Sequence, residues 1–187
     1  TVMLDSGANS NSKPKHLVQG ALMGSEYAKL LLGKENPTVG LLNIGEEATK
    51  GNDVVLATYP ILEGMKTINF KGNIEGRDIP KGAVDVVVCD GFVGNVVLKF
   101  AEGLVTGLTQ LVKDSIMAGS IFAKIGAMLV KPALKKMAKR LDHTENGGAP
   151  LLGVNGVFMI AHGSSKAKEI KTAIEIASDL VERIIIQ

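Results

Sequence analysis

A lone lysine in a glycine-bearing loop is the first candidate for chemistry in this sequence. Lys50 lies in the stretch IGEEATKGND (residues 44–53), which follows the apolar run TVGLLNI (residues 38–44) and precedes a helical pattern. A cation among small residues at a strand-to-helix turn can bind an anion such as phosphate. The loop is not a Walker loop, because Thr49 precedes the lysine and Gly51 follows it, whereas that motif needs glycine before and serine or threonine after.

Three further loops have the same character. LDSGANSNSKP (residues 4–14), CDGFVGN (residues 89–95) and AHGSS (residues 161–165) are rich in Gly, Asn, Ser and Asp. In an open parallel sheet, ligands bind beyond the carboxyl ends of the strands, where these loops are expected. The alternative is ordinary turn and capping chemistry, for which the same residue types are preferred. The loops alone leave both interpretations open.

The elements around these loops alternate between strand and helix. We predict strands over residues 1–5, 38–44, 67–73, 83–91 and 151–163, and helices over residues 14–32, about 52–62, 93–141 and 165–186. Such alternation is typical of a parallel sheet with helices on both faces. The run AVDVVVCDG is almost continuously apolar, as strands buried on both faces are. The sequence therefore predicts a single α/β domain over residues 1–187.

Composition excludes several classes of protein. The chain has 187 residues, 45% of them hydrophobic, enough for a substantial core. A formal net charge of +2, no Trp and only two Tyr argue against a nucleic-acid partner. The single cysteine, Cys89, excludes an internal disulfide framework and favours the cytoplasm. We expect it to be a small buried hydrophobic residue of a core strand and not a nucleophile.

The common catalytic and cofactor motifs are missing. No G-x-G-x-x-G turn follows a predicted strand, and there is no H-E-x-x-H pair, no paired Cys and His spacing and no G-x-S-x-G elbow. We therefore predict no metal, no cofactor and no serine triad.

The long helical region contains an apolar stretch beside clustered cations. Lysines and arginines follow it closely within SIMAGSIFAKIGAMLVKPALKKMAKR (residues 115–140). The expected tip comprises Ile121, Phe122, Ile125, Met128 and Leu129. Apolar burial combined with attraction to anionic headgroups is how a helix lies on a membrane surface. The competing interpretation is a helical hairpin whose apolar face forms a homodimer, and both can hold.

The order of the motifs resembles a known family. LDSGAN, KPKHLVQGALMGSEYA, VGLLNIGEEATKGND, INFKGNIEGRDI, DVVVCDGFVGNVVLK, NGGAPLLGVNG and AHGSS follow one another over essentially the whole chain. In this order they closely resemble the bacterial phosphate acyltransferases of phospholipid synthesis, the PlsX family. Members of that family begin with a D-A-M-G-G-D segment and carry a further Gly- and Asn-rich loop before LDSGAN. Neither feature is present, so we expect the C-terminal part of a longer chain.

The resemblance carries expectations about fold, activity and partners. It implies a three-layer, doubly wound, mostly parallel sheet of the isocitrate/isopropylmalate dehydrogenase-like and phosphotransacetylase-like kind, with a protruding helical hairpin over residues 99–142. It implies transfer of a fatty acyl group from acyl-(acyl carrier protein) to inorganic phosphate. It also implies a homodimer, a cytoplasmic enzyme associated peripherally with an anionic membrane surface, and a downstream glycerol-3-phosphate acyltransferase that uses the acyl phosphate.

Two residues match the functional positions of that family. Lys50 in KGN would hold the phosphate, and Asn95 in the GN of CDGFVGN would face the oxyanion that develops on the thioester carbonyl. The structural alternatives are a solvated loop lysine and a helix N-cap. The substrate-binding positions expected from the family-like loops are Asp5, Gly7, Asn9, Gly51, Asp90, Gly94 and His162. An Asp at a strand end is as often a loop organiser, and His162 can equally cap the last helix.

Two hypotheses of different classes follow. The first is an acyltransferase that makes acyl phosphate from a carrier-bound thioester, with a short-chain phosphotransacylase using acyl-CoA as its near alternative. The second is a non-catalytic fragment that binds phosphate or docks on a membrane, because the chain can lack the other half of its site.

Overall fold

The protein is described by a computed structural model that covers residues 1–141, 147–161, 163 and 165–185. The chain divides into two compact units, Thr1–Glu102 and Gly103–Gln187. The first unit contains the four-stranded sheet and three of the four candidate loops, those of residues 4–14, 44–53 and 89–95. The prediction that residues 1–187 form one domain stays a prediction.

The first unit is built on a four-stranded parallel sheet. Its strands are β1 (Val2–Leu4), β2 (Thr38–Asn43), β3 (Asn69–Glu75) and β4 (Val86–Val88). They lie in the order β1-β4-β2-β3, and every neighbouring pair is parallel. Strand β4 is therefore central, and the loops that follow β1, β4 and β2 leave the same edge of the sheet.

Helices α1 (Pro14–Leu32) and α2 (Asp53–Gly64) cover one face of this sheet. Helix α1 has proline at its start, where no amide is needed, and ends at Gly33 in the left-handed region with φ 63°. Helix α2 begins after Asn52, whose side-chain oxygen accepts from Val55 N at 2.9 Å. The boundaries predicted for α1 are confirmed, and α2 extends two residues beyond the predicted end.

The strand side chains alternate between two apolar layers. Val86 and Val88 point toward α1 and α2, whereas Val87 joins the other layer, with Leu42 and Cys89. Val97, from the start of helix α3 (Gly91–Ala118), packs against that second layer. Helices α1 and α2 therefore cover one face of the parallel sheet and Val97 of α3 contacts the other, which fits the predicted doubly wound α/β fold.

The second unit is mainly helical. It holds the remainder of α3, helix α4 (Ile121–Leu141) and helix α5 (Ala167–Ile185). Strands β5 (Ala149–Pro150) and β6 (Met159–Ile160) pair antiparallel, so the region predicted as one strand contributes to a short two-stranded ribbon. Helices cover most of the predicted hairpin region, residues 99–142, but the hairpin itself stays a prediction.

Strand β4 is much shorter than the predicted strand over residues 83–91. At its start, the Asp85 carboxylate accepts hydrogen bonds from the amide of Thr38 at 2.9 Å and from its hydroxyl at 2.8 Å. At its end, Gly91 already begins α3. Val84 and Cys89 lie outside the bounds of β4 but still fill the second layer. The Cys89 backbone remains hydrogen-bonded to the β1 segment, from its amide to the Leu4 carbonyl at 2.9 Å and from the Asp5 amide to its carbonyl at 3.0 Å.

Candidate active site at the carboxyl edge of the sheet

The loop that carries Lys50 is fixed by the last residue of β2. The Asn43 side-chain amide donates to the carbonyl of Lys50 at 2.8 Å, and its oxygen accepts from Ile44 N at 2.8 Å. Gly51 has φ 113°, and a Cβ there would lie 2.8 Å from the Asn43 side-chain oxygen. Gly51 is therefore required by backbone conformation and by space.

The Lys50 side chain is exposed and its ammonium is available. Within the part of the chain that the structure describes, no carboxylate lies within ion-pair distance of Lys50 Nζ. Glu46 and Glu47 are exposed. The lysine stem passes Gly45, where an added Cβ would lie 3.3 Å from Lys50 Cγ. An anion at this edge would meet a cation that no described carboxylate pairs with.

The loop after β1 is organised around the Asp5 carboxylate. One carboxylate oxygen accepts from the amides of Gly7 and Ala8, both at 2.8 Å, and the other accepts from Asn9 N at 2.7 Å. These three amides therefore point at a side chain of the same loop. Asp5 is a loop organiser in this structure, and the substrate contacts predicted for Asp5, Gly7 and Asn9 stay predictions.

The loops after β1 and β4 interlock without room for further atoms. A Cβ on Gly94 would lie 1.9 Å from the Asp5 carbonyl oxygen, and one on Gly91 would lie 2.6 Å from the Asn9 carbonyl oxygen. Gly91 N donates to that Asn9 oxygen at 3.0 Å. Glycines at both positions allow the backbones to touch, so the start of α3 is anchored on the β1 loop.

Asn95 is the fifth residue of α3 and lies beside the contact between the two loops. A Cβ on Gly7 would lie 3.5 Å from Asn95 Cγ and 3.6 Å from its Nδ2. The Asn95 side chain is exposed and does not cap the helix, because the cap is Asp90, whose carboxylate accepts from Val93 N at 2.9 Å. The alternative role of Asn95 as an N-cap is therefore wrong, and none of the hydrogen bonds between described side chains uses its amide.

The amides at the start of α3 are largely used within the protein. Gly91 N bonds to Asn9, Val93 N bonds to the Asp90 carboxylate, and Gly94 N donates to the Asp90 carbonyl at 2.9 Å. An anion at this edge would therefore depend more on the Lys50 and Asn95 side chains than on the amides at the start of α3. The substrate contacts predicted for Gly51, Asp90 and Gly94 stay predictions.

Strand pairing brings Lys50 and Asn95 to one edge. Strands β2 and β4 are direct neighbours, with Leu41 paired to Val88. The two strands are parallel, so the Lys50 loop and the start of α3 leave the sheet at the same end and at nearly the same level. The β1 loop adjoins on the other side of β4.

Cys89 is buried, as predicted, and its thiol is poorly reactive. Its thiol donates to the Asp5 carbonyl at 3.3 Å. Burial, together with the nearby Asp90 and Asp5 carboxylates, raises the pKa of the Cys89 thiol to about 12. A thiol with such a pKa is not a nucleophile near neutral pH.

The remaining predicted residues belong to the second unit or lie outside the described chain. His162 lies outside the described residues. Each residue of the expected tip is exposed: Ile121, Phe122, Ile125, Met128 and Leu129. Of the described helices, α3 alone is long and apolar enough to cross a membrane by length and composition. That is weak evidence, since core helices meet the same test.

The described part of the chain has a cavity away from this edge and no metal centre. A cavity of about 440 Å³ is lined by residues that include Tyr59, Glu63, Asn69 and Lys71. Asn69 begins β3, so the cavity lies toward the amino ends of the strands, opposite the Lys50 loop. Among the described residues, no cluster of three His, Cys, Asp or Glu side chains could hold a metal ion.

Sequence reasoning missed two strand residues that hold the Lys50 loop. Asn43 and Asn73 both donate to loop carbonyls, at 2.8 Å to Lys50 and at 2.9 Å to Glu47. Asn43 could have been found, because an asparagine that ends an apolar strand is a frequent turn organiser. Asn73 gave no local signal, since its partner lies 26 residues away along the chain.

The fold and this edge define a class, a doubly wound α/β protein with candidate ligand-binding side chains beyond its parallel strands. They are an exposed lysine that has no ion-pair partner among the described residues and an exposed asparagine, on loops that glycines allow to pack closely. Residues 1–187 match the family described as "Fatty acid synthesis protein". The chain is 57% identical over 182 residues to a phosphate acyltransferase of Desulfitobacterium hafniense (strain DSM 10664 / DCB-2), a match that covers 97% of this chain and 54% of the relative.

Two further relatives carry the same name. Identity is 55% over 187 residues to the Pelotomaculum thermopropionicum protein, covering 100% of this chain and 54% of the relative. It is 52% over 181 residues to the Aquifex aeolicus protein, covering 97% and 53%. The chain belongs to the fatty acid synthesis protein family, which confirms the resemblance. It spans about half the length of these curated relatives.

Proposed function

We propose that this chain forms the phosphate-handling part of an acyltransferase that moves a fatty acyl group from acyl-(acyl carrier protein) to inorganic phosphate. The main observation in support is Lys50, which is exposed and has no ion-pair partner among the described residues. Its loop follows β2, the neighbour of the strand that leads to Asn95. The relatives' name, phosphate acyltransferase, supports the same chemistry. The product would be an acyl phosphate for phospholipid synthesis.

The proposed reaction needs positioning more than acid–base help. A phosphate oxygen attacks the thioester carbonyl carbon, the carbon–sulfur bond breaks, and the carrier thiolate leaves and takes a proton from water. Phosphate is already anionic, and a thiol has a pKa of about 8.5, so neither partner requires a strong base or acid. The Lys50 ammonium would hold the phosphate, and the Asn95 amide would donate to the carbonyl oxygen as negative charge develops on it.

Substitution of the two side chains tests this assignment. In an acyl phosphate assay with acyl-(acyl carrier protein) and phosphate, we expect Lys50→Gln and Asn95→Ala each to lower turnover by about 100-fold to 1000-fold, as loss of an oxyanion donor does. Lys66→Gln is the matched control, because Lys66 is an exposed lysine that follows α2 at the other side of the unit. Equal activity of the Lys50 variant and the control would contradict the proposal.

A second candidate is supported by the length of the match. Because the chain spans about half of its relatives, it can be a non-catalytic part that binds phosphate and needs the rest of the enzyme. The assay is therefore run on the chain alone and on the chain joined to the part of the Desulfitobacterium relative that the match leaves uncovered. Turnover only in the joined form supports this candidate, and turnover of acyl-CoA instead of the carrier thioester supports a phosphotransacylase.

We also propose a homodimer that associates peripherally with an anionic membrane and delivers acyl phosphate to a glycerol-3-phosphate acyltransferase. The support is the exposure of the tip, with Phe122 at 80% and Leu129 at 78%, next to Lys124 and Lys131. Burying such side chains contributes roughly 25 cal/mol for each Å² of apolar surface removed from water.

Flotation with liposomes tests the membrane contact. We expect the double variant Ile121→Asp with Phe122→Asp to lose binding to vesicles that contain anionic phospholipid. Leu31→Asp is the matched control, because Leu31 is an exposed apolar residue, at 57%, on α1 of the other unit. Full binding by the double variant would contradict a membrane role for the tip.

A further inference from the structure

A buried asparagine on the outer strand of the sheet holds the loop that carries Lys50. Asn73 lies in β3 and is 6% exposed. Its side-chain amide donates to the Glu47 carbonyl at 2.9 Å, and the amide of Lys50 donates to the same carbonyl at 3.1 Å. One carbonyl therefore links the buried side chain directly to the backbone of the lysine.

Asn43 holds the other side of the same residue. Its side-chain amide donates to the Lys50 carbonyl at 2.8 Å. The amide and the carbonyl of Lys50 are thus both tied to the sheet, one through Glu47 and Asn73 and the other through Asn43. A lysine has four rotatable side-chain bonds, so fixing its backbone at both groups narrows the region that the ammonium can reach.

The choice of asparagine at position 73 is poor for stability. Asparagine is disfavoured in strands, and its neighbour Ile74 is the kind of residue that fills a sheet interior. Within the described residues, no donor reaches Asn73 Oδ1, and burial of an acceptor without a partner is costly. Among the described residues, the hydrogen bond from the Asn73 amide to the Glu47 carbonyl is what offsets this cost. The asparagine at position 73 therefore serves the loop and not the stability of the strand.

We propose that Asn73 is a positioning residue, which together with Asn43 holds Lys50 where it can bind the phosphate of the proposed reaction. This inference rests on the proposed function. Asn73 itself touches no substrate; it acts through the Glu47 carbonyl and the backbone of Lys50. Loss of the donor would let the loop move, and a misplacement of about 1 Å can cost about 100-fold in rate.

The same strand offers a matched control. Asn69, at the other end of β3, donates from its side-chain amide to the Asn36 carbonyl at 3.4 Å. Asn73→Leu and Asn69→Leu therefore remove the same group from one strand, and each takes one side-chain donor away from a loop carbonyl. Only the loop held by Asn73 carries Lys50.

The kinetic experiment measures kcat and KM for inorganic phosphate in whichever form of the enzyme turns over. We expect Asn73→Leu to lower kcat/KM for phosphate by about 10-fold to 100-fold, whereas Asn69→Leu changes it by less than about 3-fold at equal loss of stability. In a Lys50→Gln background we expect Asn73→Leu to have almost no further effect, because residues that act as a unit are not additive.

An undiminished loss in the Lys50→Gln background would overturn the proposal, and so would equal losses for the two asparagine variants. Asn73→Ser, smaller and still polar, replaces Asn73→Leu if the leucine variant does not fold.

A second readout does not need turnover. Amide hydrogen exchange is measured in the protein without substrate, in wild type and in both asparagine variants. We expect Asn73→Leu to accelerate exchange at Lys50 by at least about 10-fold while the β2 amides stay protected, and Asn69→Leu to leave the Lys50 amide unchanged. Unchanged exchange in Asn73→Leu refutes the positioning role. Accelerated exchange, when neither the chain alone nor the joined form makes acyl phosphate, refutes the proposed function alone.

Discussion

Replacement of Gly94 by alanine should separate the interlocked loops after β1 and β4. A Cβ at this position would lie 1.9 Å from the Asp5 carbonyl oxygen and 2.9 Å from Cys89 Sγ. Real Cβ atoms do not approach a backbone oxygen so closely, so either the β1 loop or the first turn of α3 must move. Both carry candidate site residues.

The magnitude follows from two opposing effects. In a helix, alanine is favoured over glycine by roughly 0.5–1 kcal/mol. Overpacking costs about 1–3 kcal/mol and occasionally more, and the Gly94 clash belongs at the upper end because its nearest atom is backbone and not a flexible side chain. We therefore expect Gly94→Ala to lower the free energy of unfolding by about 2 kcal/mol or more, and Tm by roughly 4–8 °C.

Urea denaturation followed by circular dichroism measures this change, with Gly103→Ala as the matched control. Gly103 lies in the same helix, and apart from its own helix backbone and its chain neighbours no described atom lies within 4 Å of its Cβ position. The control should be neutral or stabilising, by up to about 1 kcal/mol. A Gly94→Ala protein as stable as the control would refute the contact between the loops as the reason for glycine at this position.

Three further predictions concern stability and reactivity. A hydrogen bond from Lys34, supported by Thr38, lowers the pKa of the Asp85 carboxyl from 3.8 to about 2. The stabilisation is thus present above about pH 4 and lost as the pH falls toward 2. Solvent screening at the half-exposed Lys34 reduces this stabilisation to about 1–2 kcal/mol. In urea titrations, the difference in unfolding free energy between wild type and Asp85→Asn should shrink as the pH falls from about 4 to 2, and a constant difference would contradict this prediction. Cys89 should react with N-ethylmaleimide at pH 7.5 only in denaturant, because its thiol is buried with a pKa of about 12; rapid labelling of the native protein would show otherwise. Asn52→Ala should cost about 1 kcal/mol of stability in urea titrations by removing the cap of α2, and an unchanged midpoint would rule the cap out.

Local signals predicted the first unit well. Proline at the start of α1 and Gly33 at its end mark boundaries that depend on backbone conformation alone. The apolar runs predicted the strands, and their alternation with helices predicted a parallel sheet covered on both faces. The strand predicted over residues 83–91 is longer than β4, because an apolar run indicates burial and does not show where a strand begins or ends.

The sequence by itself determined the order of strands and helices and the type of loop at the carboxyl edge, because turn, cap and periodicity preferences act between residues that are close along the chain. Only the tertiary structure decided which side chains remain free there. The Asp5 carboxylate is occupied by its own loop, Lys50 keeps its ammonium unpaired among the described residues, and Asn73 reaches the Glu47 carbonyl across 26 residues. Such contacts depend on which strands are neighbours and on the space between packed backbones, and neither is written in the local sequence.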